Sequence, residues 1–184
     1  MTSLSEAQMD AAHEFANAAV ATISHAGRMH PGTVIAATAR MGGTYLFRSF
    51  RLHLAGVQPG QAVLSVAADE QVPTLIQITA DILAKVGIAI DNTHAGKPTD
   101  LKHVPTDPFP DTQRKLEPVY APIKDRFSLS SQEAAQAAAV ASALLIRHCA
   151  QVMDPTVGFG IAVYGFVEGS KTAPDPIELL PSTT

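Results

Sequence analysis

Apolar residues recur along this chain at helical rather than alternating spacing. The densest stretch runs from Ser131 to about Met153, SQEAAQAAAVASALLIRHCAQVM. Ala, Leu and Ile fill almost every face of it from Ala134 to Ile146. A helix apolar all round belongs at the buried centre of a bundle. Ser130 is placed to cap its first turn, and Glu133 three residues on can reach back to complete a capping box. At 1.5 Å per residue the helix would be about 35 Å long, enough to cross a small domain.

The other segments suit a shell around that helix. A first helix is predicted from Ser5 to about Ala26, with Gln8 answering Ser5 and Leu4 and Met9 placed as a hydrophobic staple. Ala12, Ala16, Ala19, Ile23 and Ala26 share one of its faces, and Gly27 supplies the stop. A second helix opens at Pro31, suited to the first helical position, and continues to about Phe50. Gly42 and Gly43 weaken it locally, marking a kink or a close contact. Ala62 to Val66 is a short apolar run that reads as extended, after a turn at Gln58-Pro59-Gly60-Gln61. A third helix is predicted over Val72–Val86, with Pro73 in its first turn.

From Asp91 to Pro110 the chain has four prolines and no periodicity, so this reads as an exposed, mobile loop, a lid or contact segment. Asp111 to Phe127 is helical in pattern, but Pro118 and Pro122 predict two short pieces or a kink. Asp154-Pro155 opens a last helix to about Gly169. Thr172 onward, with three prolines, reads as a tail. The expected architecture is therefore all-α: a single-domain bundle of five to seven helices over residues 1–171, around the Ala/Leu-rich helix at 131–153, and a tail at 172–184.

Composition narrows the function classes. A chain of 184 residues that is 46% hydrophobic can bury a full core. A net charge of −4 without a dense basic region argues against nucleic acid as a partner. The lone Cys149 excludes an intramolecular disulfide framework. The N-terminal MTSLSEAQMD has no basic region before an apolar run, and no apolar run approaches the roughly 18 residues of a membrane span. The expectation is a soluble cytoplasmic protein without a membrane partner.

Candidate chemistry is sparse. Asp10-x-x-His13 is the one spacing comparable to a bundle metal motif, and it has no second copy; His13-Glu14 begins an HExxH pattern that fails at Asn17, so no metal ligand is assigned. His30 stands where a capping residue is expected before Pro31. Arg40, Thr44, Arg48 and Arg51 fall on one side of the second helix, a pattern that suits a carboxylate or phosphate as well as a solvated face. Arg147-His148-Cys149 is the reactive cluster of the central helix, with Cys149 read as a small core residue and the two cations suited to a helix C-terminus. Phosphate-loop, Rossmann and nucleophile-elbow patterns are absent.

Two stripes of small residues complete the reading. Gly32, Ala36, Ala39 and Gly43 on the second helix, and Gly158, Ala162, Gly165 and Gly169 on the last, follow the same spacing of four, three and four. Glycine inside a helix costs about 0.5–1 kcal/mol relative to alanine, so each stripe implies a close helix contact that offsets it. A last helix at the edge of the fold would meet its own copy through this stripe, across a two-fold axis. The sequence thus predicts a non-catalytic binding or protein-interaction module, a homodimer that takes a protein partner or a small apolar ligand. The alternative is an enzyme or metal-binding protein with a pocket between the second helix and the last two, lined by His30, Arg40, Arg147, His148 and Glu168. No catalytic residue or cofactor is identifiable.

Overall fold

The computed structural model describes residues 4–24, 28–52, 54–90 and 101–177. Among them lie six α-helices and no strand: α1 Glu6–Ile23, α2 Pro31–Ser49, α3 Val66–Lys85, α4 Phe109–Arg126, α5 Ser131–His148 and α6 Pro155–Ser170, with a 3₁₀ turn at Leu101–His103 before α4. This is an all-α helical bundle. The helix stop at Gly27, the first half of the 91–110 loop and the end of the tail lie outside the described residues.

Local chemistry accounts for most boundaries. Both capping boxes are complete: Ser5 with Gln8 on α1, and Ser130 with Glu133 on α5. The Ser130 hydroxyl and backbone N–H hold the Glu133 carboxyl below its ordinary range. α5 ends at His148 rather than near Met153, because Cys149 becomes the cap and the N–H groups of Val152 and Met153 both turn back to its carbonyl. Pro155 requires an extended residue before it, so the chain must leave the helix by then.

Three expectations are corrected. The 62–66 run forms no strand; it makes one antiparallel bridge, Ala62 with Thr172, and Ser65 then caps α3 six residues earlier than the Pro73 pattern suggested. Pro73 is tolerated inside α3 because it faces solvent, where water takes the carbonyl it leaves unbonded. α4 is one continuous helix for the same reason: Pro118 and Pro122 both sit on its exposed side, while Leu116, Tyr120 and Ile123 anchor the other. The second half of the 91–110 segment is bonded to the body. Thr106 donates its N–H to the Thr33 hydroxyl at 3.0 Å, and the Asp107 carbonyl accepts from Arg40 at 2.6 Å.

The core sits between α2 and α5, with α1, α3, α4 and α6 around them. α5 is buried at Ala134, Ala135, Ala137 to Ala143, Leu145 and Ile146. α2 is buried more completely still, at every residue from Gly32 to Phe47. Phe15 stacks on Tyr120 at 4.2 Å, and the Tyr120 hydroxyl donates to the Phe15 carbonyl at 3.0 Å, joining α1 to α4. A smaller apolar cluster of Phe47, Leu54 and Ala173 seats the described part of the tail, which is also held by Arg48 on the Pro176 carbonyl and by Gln113 on the Asp175 backbone. Among the described residues no helix is long and apolar enough to cross a membrane.

Candidate functional site

Of the five residues expected to line a shared pocket, hydrogen bonds join two. Arg40 is buried on α2 and its Nε donates to Glu168 of α6 at 2.6 Å. The pair is a joint between helices, with Asp107 accepting from Arg40 on one side and from Lys115 on the other, at 2.6 Å each. His30 is occupied differently. Its Nδ1 accepts the Thr33 N–H at 3.1 Å, capping α2, so the ring proton lies on Nε2, which donates to the Lys102 carbonyl at 2.9 Å. The Thr33 hydroxyl lies 2.7 Å from the same Nδ1.

Arg147 and His148 stand exposed in the last turn of α5, where cations suit the helix dipole. The five residues expected around a pocket between α2 and the last two helices therefore stand in separate surroundings. They are a cap, an interhelical ion pair and two exposed side chains at the end of α5, and none of them lines the cavities beside α2 and α5, α3, α4 or the α5–α6 turn. Cys149 is buried, and burial pushes its thiol up. Among the described residues no three His, Cys, Asp or Glu side chains gather as metal ligands would.

The two small-residue stripes face each other. Gly165 packs on Ala39 and the Ala36 carbonyl, so closely that a Cβ there would lie 2.8 Å from the Ala39 Cβ. Gly169 meets Gly43 and the Arg40 carbonyl, and a Cβ on Gly43 would stand 2.5 Å from the Phe166 carbonyl. Gly32 lies under the carbonyl of His103, and Gly158 against Ile146 and Met153. Neighbouring elements of the same chain therefore cover these faces. On the last helix, α2 thus lies against Gly165 and Gly169, while Ile146 and Met153 lie against Gly158, where the sequence expectation placed a second copy.

Turning that face inward leaves the opposite side of α6 outward. Val157, Gly160, Tyr164 and Val167 follow at spacings of three, four and three and line up along it. Tyr164 is 67% exposed and Val167 36%, on a helix whose one charged side chain, Glu168, is tied to Arg40. Gly160 has open space beyond it, with no atom within 4 Å of where a Cβ would sit. Leu64 and Val66 are also exposed, in the segment near the C-terminal end of α6 where the Val63 N–H donates to the Lys171 carbonyl. Asp154, exposed, caps the N-terminal end of α6, and Lys171, paired with Asp69 at 2.6 Å, closes the other.

This outward stripe was missed in the sequence because Phe159, Val163 and Phe166 form a more conspicuous apolar row. Phe159 and Phe166 are core residues. The usable signal was a helix without charge from Pro155 to Val167, more than one buried side can use. Comparison with protein-family models, curated proteins and solved structures found no match to this chain.

Proposed function

We propose that this protein is a non-catalytic interaction module whose partner is a second copy of itself, met across the outward face of α6. The observation that carries the reading is the self-complementarity of that face. Two copies of α6 laid antiparallel about a two-fold axis at the level of Ala162 would set Tyr164 of one over the open Gly160 of the other. The same operation sets Val157 beside Val167 and brings Lys171 towards Asp154. A two-fold contact repeats each pairing, so every favourable contact counts twice. A ring over a glycine also lets the axes approach closely, as an aromatic anchor in a central pocket does.

Stable interfaces cover about 800 Å² per partner, more than one stripe of a single helix supplies. Leu64 and Val66, 83% and 72% exposed, follow Val63, which is bonded to Lys171 at the α6 C-terminus, and add exposed apolar area near it. Sedimentation of the full chain tests the reading. The expected outcome is a dimer that Tyr164→Asp converts to monomer, because the charge enters the apolar contact at two symmetric points. A monomer at about 100 µM, where any pair with a tighter Kd would be mostly formed, would overturn it, as would a dimer indifferent to Tyr164→Asp.

A further inference from the structure

A cavity of about 390 Å³ opens where the end of α2 meets the start of α5, away from the α6 face. Among the described residues its charged lining consists of Arg48 and Arg51, with no carboxylate. Ser49, Ser131 and Gln132 add neutral polar groups, and Phe47 and Leu54 give it an apolar floor. Arg48 is fixed in the wall: its side chain is 6% exposed, held by Glu117 at 2.7 Å and by the Pro176 carbonyl at 3.0 Å. Glu117 neutralises it, so the unbalanced charge comes from Arg51. That residue is exposed, takes no ion-pair partner among the described residues, and is set at the rim by a left-handed backbone with φ 50°. The α5 N-terminus adds backbone dipoles of the same sign, partly offset by Glu133.

We infer that this cavity binds a small oxyanion carrying an apolar body, the anionic group meeting Arg51 at the rim with Arg48, Ser131 and Gln132 beside it, and the body resting on Phe47 and Leu54. Arginine's planar fork suits carboxylate and phosphate alike, and the volume lies in the range of small-molecule sites. Neither Arg51 nor Gln132 contributes to the core, so both can be changed without unfolding the chain.

Calorimetric titration of the full chain with phenyl phosphate and with benzoate tests the site, since the two share an apolar ring and differ in the anion. Saturable binding of at least one is expected, and which one binds identifies the ligand class. Arg51→Gln should weaken it tenfold or more. Gln132→Glu is the sharper variant: an acidic residue in the first turn favours the helix, so the melting temperature should hold or rise while binding is lost. Binding that survives both substitutions unchanged would overturn the site. So would the absence of saturation by either probe at about 10 mM, an affinity too weak for a formed site.

Discussion

At the scale of single residues, identical substitutions should have opposite signs according to what lies beyond the Cα. Gly160 faces open space, so Gly160→Ala is expected to stabilise the monomer by about 0.5–1 kcal/mol through helix propensity alone. Gly165→Ala places a Cβ 2.8 Å from that of Ala39 and should destabilise by about 1–3 kcal/mol through overpacking. Thermal or urea unfolding of the two variants checks both signs. The sequence showed that a row of small residues was present but not what each one touches. Gly160 and Gly165 look alike in the chain, and the difference arises when α2 chooses a side of α6. The capping residues were legible for the opposite reason: Ser5 with Gln8 and Ser130 with Glu133 settle their hydrogen bonds within one turn.

At the scale of elements, the joint between α2 and α6 combines close backbone approach with one ion pair. Arg40 and Glu168 have side chains 8% and 25% exposed, so removing one partner strands the other with little water to solvate it. Glu168→Gln or Arg40→Met is expected to lower stability by about 2–4 kcal/mol, and the double variant Arg40→Met/Glu168→Met to recover part of the loss. A double-mutant cycle by chemical unfolding measures that recovery; strictly additive losses would contradict the coupling. This joint was half legible. Both residues stood among the candidates, but as ligands of a pocket, because a sequence does not show that two charges have found each other. The completeness of α2's burial was hidden for a related reason: Arg40 and Thr44 read as part of a polar side, and both are buried. α3 and α4 were misjudged through proline, whose effect depends on whether the freed carbonyl faces water, a property of the assembled bundle.

At the scale of the whole molecule, two phenols tie the core to alkaline pH. Burial, above all, pushes Tyr45 and Tyr120 well above the ordinary tyrosine range, Tyr45 with a further contribution from Glu117. In the unfolded chain both titrate near the ordinary value of about 10. Their stabilising contribution is therefore whole below that pH and is lost as pH rises towards the folded-state values, because only the unfolded state then releases its protons. Each group contributes a slope of at most about 1.4 kcal/mol per pH unit. Urea midpoints measured between pH 8 and 11 should stay level and then fall, and Tyr120→Phe should make the fall shallower. An all-α bundle around an Ala-rich helix was legible at this scale, because apolar period and length decide fold class. The second buried helix was not.

The burial of α2 also has a history in time. Its covering partner, joined through Arg40 and Glu168, lies 128 residues further along the chain. At synthesis rates of about 5–20 residues per second, α2 leaves the ribosome roughly 6–25 s before α6 exists to cover it. During that interval the surface at Ala36 and Ala39 has no final neighbour on that side, and the backbone at Gly43 has none of the contacts that make its glycine useful. The helix that ends as the most enclosed part of the protein is thus, while the chain is being made, without its largest cover until the last helix arrives.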